Sequence, residues 1–530
     1  MAKRKEILAI FLILLLGIGL RTYRLGFQSF WTDEIATYEI SSSPPWVIVT
    51  DPPGDRNIPP LFNLIINFVI KFGNKESLLR LVSAIFGSLS VLVFYLVIRN
   101  WLNSHTGFTC AAIMAISPFH IWYSQETRGY ILLLFLSLLS LLLFQEIVKR
   151  QEGFWLKLFF VVSTALTFYC HTAGIAFIGF LGAYILLIFP HQKWKEWSFF
   201  FGAIILLIAP AIYRFLIIKQ VVPTNNFQSF NLLYLPYTIW AFSTGYSFGP
   251  TLNELHFLGP NRMRIVFSYF PTIFPVMLFF IILLLLGVLQ LRKKHKYLFR
   301  LTALWFILPL VFALIGSIIT DHPFNVRYAV LSFPPFIIFL ITGTQYFSNK
   351  WAKRSSFAII VIISIFSLKN YFFDEQYHRD DNRAAGQFLS VHALPNDLVI
   401  ASAAYIIKNL RYYYQGAPLK FLGYPAAGFV EPSRVDANLE IILRDQKRFW
   451  LFLSRTFHSD PHGYIRKHCD LHYILERELK ASGVELILYK KRPNTKSDCN
   501  MGIENNILKR PPQSKKTETA VNNPAVAATE

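Results

Sequence analysis

About eleven times before residue 370 the chain enters an apolar run closed by a short polar connection, and no other feature limits its fold so strongly. A backbone in hydrocarbon must satisfy its own hydrogen bonds, so a run of about 20 apolar residues becomes a helix that crosses the bilayer. The runs fall at 7–20, 78–98, 107–121, 129–148, 154–170, 172–190, 197–218, 265–290, 301–320, 328–347 and 355–370. Composition agrees: 54% hydrophobic and 16% charged residues, with a mean hydropathy of +0.40, are too apolar for a soluble globule of 530 residues. The expectation is a polytopic α-helical membrane protein. Pro60–Phe72 is too short to span and reads as an amphipathic helix along the surface.

The net charge of +21 carries its meaning through placement. Lys3, Arg4 and Lys5, Lys149 and Arg150, Lys193 and Lys195, Arg292 to Lys296, and Lys350, Lys353 and Arg354 all fall on one side when the runs alternate. Such an excess signals topology and anionic membrane lipid, so no nucleic-acid partner is expected. The start MAKRKE, with no small-x-small cleavage site after the first run, reads as a signal anchor with a cytoplasmic amino end in the plasma (inner) membrane. The extracytoplasmic side then receives a loop at 21–77, the turn around Gln125, the long segment 219–264, the turn around Asp321 and everything after 370.

Residues 1–370 thus form a membrane domain. From 371 to 504 short alternating strands (LVIA, FWLFL, VELILY) interleave with polar helical stretches such as Asn382–Leu389, which predicts an extracytoplasmic α/β domain. Residues 505–530 are poor in large apolar side chains and read as a disordered tail. Cys110 and Cys170 lie in apolar runs and pack there, while Cys469 and Cys499 are open to pairing in an oxidising compartment.

Between the first two apolar segments, Arg21–Pro60 carries the adjacent carboxylates Asp33 and Glu34 just beyond a span. A carboxylate against a bilayer face is costly to desolvate and points to chemistry or to a specific partner. Thr32 is a suitable N-cap, with Trp31 in the interfacial aromatic belt; an acidic first turn also suits the helix macrodipole with no further role. Neighbours on a helix diverge by about 100°, so Asp33 is assigned to a cavity and Glu34 to the cap or to support.

A second cluster, SPFHIWYSQETRGY at Ser117–Tyr130, sets Arg128 at a helix mouth near Gln125, Glu126 and Tyr130. Arg128 suits an anionic headgroup or a departing phosphate; the plainer alternative is a snorkelling arginine paired with Glu126. His120 and His171 read as packed histidines. Tyr234, Tyr237, Trp240, Phe242 and Tyr246, in the segment 219–264, suit sugar stacking or an interfacial belt.

FQSFWTDEIATY, IPPLFNLI, SPFHIWYSQETRGY and FNVRYAVLSFPPF, in this order over roughly the first 350 residues, resemble the bacterial branch of the protein O-mannosyltransferase superfamily, the glycosyltransferase family 39 type. The resemblance implies a GT-C fold with its active site in the first extracytoplasmic loop. It implies transfer of a sugar from a polyprenyl-phosphate donor to a protein, lipid or glycan acceptor. It also places the family's essential loop aspartate at Asp33, with Glu34 beside it, and a recurring arginine at Arg327. Such a transfer needs a group to take or orient the acceptor hydroxyl proton and positive charge to steady the leaving phosphate. Asp33 fills the first role, Arg128 and Arg327 the second, with an interface anchor as the alternative for Arg327.

The chain departs from the branch that transfers aminoarabinose to lipid A at Ala36 and at Asn57-Ile58, where that branch carries an arginine and a Glu-Lys. Aminoarabinose transfer is therefore not expected. A divalent metal stays open through Asp33, Glu34 or His256, without a full ligand set. A transporter or flippase of lipid-linked sugars, and an assembly protein acting through its α/β domain, are the competing classes; neither an internal repeat nor midplane charge favours transport.

Overall fold

The computed structural model describes residues 2–54, 58–150, 153–217, 233–257, 262–320 and 324–492. The tail 505–530, Cys499, Asn57 and Asp321 lie outside these ranges. Helix α1 (Ala2–Thr22) leads into three loop helices, α2 (Thr32–Ser41), α3 (Pro45–Thr50) and α4 (Pro60–Ile70). The bundle continues with α5 (Glu76–Trp101), α6 (Ser104–Ile116), α7 (Pro118–Ser124), α8 (Tyr130–Arg150), α9 (Phe154–Cys170), α10 (Gly174–Ile188) and α11 (His191–Ile217). After α12 (Tyr234–Thr244), α13 (Leu252–Phe257) and α14 (Arg262–Ser268) come α15 (Phe270–Lys294) and α16 (Lys296–Thr320). A 3₁₀ turn, Val326–Ser332, then runs into α17 (Phe333–Thr344), followed by α18 (Lys350–Phe373).

A helix stands at each predicted run. Seven are long and apolar enough to cross a bilayer, whereas α6, α9 and α10 are apolar but shorter. Among the described residues, length and apolarity thus do not reach the expected count of about eleven. The run at 107–121 is cut in two because Pro118 has no N–H to continue α6; it opens α7 instead, and the Ser117 hydroxyl accepts from the His120 N–H at 3.3 Å. Pro236, Pro271, Pro334 and Pro335 also sit in first turns, and Pro210, Pro275 and Pro309 are the prolines beyond the first turn of a described helix.

Helix α17 is buried along its whole length. It lies backbone to backbone on α15 through a reciprocal glycine pair: a Cβ at Gly287 would come within 1.9 Å of the Phe339 carbonyl oxygen, and one at Gly343 within 1.9 Å of that of Leu283. This packing fixes the 3₁₀ turn that carries Arg327. Phe242 of α12 and Tyr246 just after it pack inward rather than lining an open surface: Phe242 lies against Phe119, Phe333 and Phe336, and the Tyr246 and Tyr123 hydroxyls are 2.7 Å apart.

The carboxyl-terminal domain is a five-stranded sheet in the order β2-β1-β3-β5-β4, with β1 (Leu398–Ala401), β2 (Lys420–Gly423), β3 (Arg448–Ser454), β4 (Tyr473–Ala481) and β5 (Val484–Lys491). Strand β1 is parallel to β2 and β3, and β5 is antiparallel to β3 and β4. The alternation in β3 divides the core. Phe449, Leu451 and Leu453 face α21 (Val435–Leu443) and α22 (Tyr464–His472), while Trp450 and Phe452 face α19 (Asn382–His392) and α20 (Ile407–Tyr413). Asn409 of α20 donates to the Thr32 hydroxyl at 2.9 Å, and Arg383 of α19 pairs with Glu76 at 2.6 Å. The sheet domain is thereby docked against the starts of α2 and α5.

Candidate active site

Helix α2 begins one residue earlier than its sequence suggests. Trp31, in extended conformation, is the N-cap, and the Thr32 hydroxyl is taken up by Asn409 instead of capping the helix. Glu34 consequently stands in the first turn with its carboxylate fully buried. One oxygen accepts from Arg80 Nε at 2.8 Å and the Thr127 N–H at 2.9 Å; the other accepts from Arg80 Nη2 at 2.7 Å, Arg379 Nη1 at 3.0 Å and the Trp31 N–H at 3.4 Å. Burial by itself would raise its pKa, but Arg80 and Arg379 outweigh it and hold the carboxyl below its usual range. Arg80 is saturated in turn, donating to the carbonyl oxygens of Leu25, Gln28 and Ser29.

Asp33, about 100° around the helix, has a different environment. Its side chain is 27% exposed, and one carboxylate oxygen accepts from Arg327 Nη1 at 2.6 Å. Burial would push Asp33 up, yet the guanidinium charges of Arg327, Arg128 and Arg455 bring it down to about 2. Arg128 does not pair with Glu126. It donates to the Asp33 carbonyl oxygen at 3.3 Å and the Thr37 hydroxyl at 3.1 Å, so it grips the main chain of α2 and leaves the carboxylate to Arg327. The Tyr130 ring lies 5.8 Å from the Arg128 guanidinium and 5.7 Å from that of Arg327.

Glu126 is held by Arg379 at 3.4 Å through one oxygen, while the other is buried without a hydrogen-bond partner. Burial first, and then the charge of Glu34, push its pKa up to about 7 against the opposing pull of Arg379. Gln125 turns away from the carboxylates: its amide donates to the carbonyl oxygens of Leu20, Arg21 and Tyr23, and its oxygen accepts from the Tyr371 hydroxyl at 2.9 Å. His120 is packed between Arg21 and Ser90, and His171 accepts from the Ala173 N–H. Among the described residues no three His, Cys, Asp or Glu side chains gather as a metal-ligand set; the His256 side chain lies outside the described part of α13. Cys110, Cys170 and Cys469 are buried.

Three cations of this site go unannounced in the sequence. Arg80 lies within an apolar run, where a charge calls for a counter-ion, and that signal points toward Glu34. Arg379 follows the last span in an unremarked polar stretch. Arg455 comes from the sheet domain, at the end of β3, with its guanidinium 5.6 Å from the Trp31 ring. Set against Asp33, Glu34 and Glu126, the arginines 80, 128, 327, 379 and 455 leave positive charge in excess on the Asp33 side.

The model of the dolichyl-phosphate-mannose-protein mannosyltransferase family matches residues 57–213, which include Arg128 but begin after Asp33. No curated protein sequence matches the chain. Among solved structures, ArnT from Cupriavidus metallidurans bound to undecaprenyl phosphate aligns over 90% of this chain and 97% of its own, at 13% identity and a TM-score of 0.51. The Archaeoglobus fulgidus oligosaccharyltransferase in its apo form aligns over 92% of this chain and 75% of its own, at 11% identity and a TM-score of 0.51. The same archaeal enzyme, AglB, with an inhibitory peptide and a dolichol-phosphate aligns over 91% and 74%, at 11% identity and a TM-score of 0.50. The fold is that of these proteins, a polytopic GT-C membrane architecture.

Proposed function

We propose that the chain is a membrane glycosyltransferase that moves a sugar from a polyprenyl-phosphate donor to a hydroxyl acceptor on a protein, lipid or glycan. The observation that carries this is the Asp33–Arg327 pair at 2.6 Å, partly open and set in excess positive charge. An anionic donor phosphate would be drawn to Arg327 and Arg128. By competing for Arg327 it would loosen that arginine's hold on Asp33, lift the Asp33 pKa from about 2, and free the carboxylate to orient the acceptor hydroxyl or take its proton. The leaving phosphate departs as an anion, so charge stabilisation by the arginines suffices and no general acid is required. Glu34 supports this arrangement by locking α2 to Arg80 and Arg379, and Tyr130 spaces Arg128 from Arg327.

The fold shared with ArnT bound to undecaprenyl phosphate and with AglB carrying a dolichol-phosphate supports a polyprenyl carrier. The basic connections support an amino end in the cytoplasm of a plasma (inner) membrane, with the site and the sheet domain on the other side. The test uses full-length protein in nanodiscs, wild type against Asp33→Asn, with radiolabelled polyprenyl-phosphate sugars and an envelope extract as acceptor. Label should move from carrier to acceptor with wild type only. Transfer by Asp33→Asn at the wild-type rate would overturn the role given to Asp33, and lipid translocation without transfer would replace the enzyme by a flippase.

A further inference from the structure

We propose that Arg455 of the sheet domain is a further phosphate-binding residue of this site, taking the headgroup of the polyprenyl-phosphate donor together with Arg327. The proposal rests on the donor reading above. Three buried donors converge about one indole: Arg455 Nε, Arg327 Nε and Trp31 Nε1 each lack a hydrogen-bond partner. The two guanidinium groups lie 5.6 and 5.8 Å from the Trp31 ring. Buried N–H groups without acceptors are costly and rare, and three together, two of them cationic, define a place for an oxygen-rich anion.

The backbone supports this independently. Arg455 has a φ of +51°, in the left-handed region that a long side chain seldom adopts. Strain of that kind persists where the surroundings over-determine it, and it gathers at ligand-binding positions. Here it turns the chain sharply after β3 and brings Arg455 to Trp31. Among the described residues no carboxylate forms an ion pair with Arg455; Asp380 feels its charge without pairing. The Arg455 charge already bears on Asp33. The sheet domain would then be part of the donor site, and the acceptor would meet a site assembled from both domains.

The left-handed backbone supplies a discriminating variant. Glycine adopts φ near +51° freely, so Arg455→Gly removes the side chain and relieves the backbone at once. Binding of polyprenyl phosphate and of uncharged polyprenol is measured on full-length protein in zwitterionic nanodiscs, beside the thermal midpoint. The expected result is about tenfold or greater loss of polyprenyl-phosphate affinity in Arg455→Gly, with polyprenol binding unchanged and the midpoint equal or higher. Wild-type preference for the phosphate, kept within twofold in Arg455→Gly, would overturn the proposal and leave the donor reading intact. Equal binding of both lipids by wild type would instead sink the donor reading itself. Should Arg455→Gly unfold, Arg455→Gln and Arg455→Lys share one backbone and differ in charge: a smaller loss in Lys than in Gln supports the proposal, and equal loss in both overturns it.

Discussion

Asp33 and Glu34 are adjacent in one helical turn, yet their surroundings are opposites. Around Glu34 every acceptor site is used: two arginines, two backbone N–H groups and no opening to solvent. Around Asp33 there is one close ion pair, a quarter of the side chain exposed, and cations in excess. A saturated charge network holds structure, because nothing in it is left to bind. An unsaturated one has capacity to spare, and in this molecule that capacity is for an anion.

The comparison breaks most easily on the Glu34 side. Glu34→Ala would leave Arg80 buried without its counter-charge and Arg379 with Glu126 alone, a change that costs on the order of 3–5 kcal/mol. The expected outcome is a large fall in thermal midpoint and in yield of folded protein, read by thermal unfolding in detergent. A variant that folds normally and loses only transfer would place Glu34 on the chemical side. Asp33→Asn should behave in the opposite way. Its partly exposed pair contributes about 1 kcal/mol to stability, while loss of the carboxylate should cut transfer by on the order of 10²–10³-fold. Unfolding data and transfer rates measured on the same preparations decide between the two patterns.

A sharper cut separates Arg327 from Arg128. Arg327→Lys keeps a charge near Asp33 but loses the planar fork that a phosphate or carboxylate matches, so donor affinity should fall about tenfold. Arg128→Ala should weaken the lipid phosphate less, through its field, and loosen the α2 main chain it grips at Asp33 and Thr37. Binding of polyprenyl phosphate to the two variants, titrated beside wild type, ranks them; the reverse order would give Arg128 the direct contact.

What the sequence made legible follows the same division between repeated pattern and single contact. Helices stand at the predicted runs because apolar periodicity in a membrane protein leaves few alternatives. The central strands β1, β3 and β5 were visible as alternating apolar stretches. The edge strands were not: β2 is only Lys420–Gly423, and β4, with the charged run Glu476-Arg477-Glu478, is mostly exposed, so neither shows an apolar face. At the site, Asp33, Glu34 and Arg128 stood out by their position at run ends, and Arg327 through the family resemblance. Their pairing did not, because Glu34 meets Arg80 and Arg379 across 46 and 345 residues of chain. Arg455 gave no signal, since its importance lies in one left-handed backbone angle.

Glu126 sits on the seam between the two regions, sharing Arg379 with Glu34 while its other oxygen goes unpaired. Its carboxyl is raised from an ordinary 4.5 to about 7, so between these values the folded protein holds a proton that the unfolded chain has lost. Folding stability should therefore decline as pH rises from about 4.5 to about 7 and level off above. Glu126→Gln, neutral throughout, should flatten this limb by roughly 1–3 kcal/mol, read as the difference in unfolding midpoint between pH 5 and pH 8. The same titration would move donor binding: a protonated Glu126 adds one unit to the positive excess that faces Asp33, so wild type should lose affinity for polyprenyl phosphate relative to the glutamine variant as pH rises from 5.5 to 8. The second ionisation of the lipid phosphate, at about pH 6, is common to both proteins and cancels in their ratio. A wild type and a variant with parallel pH profiles would mean that Glu126 stays ionised against Arg379, and the seam would then belong wholly to the saturated side.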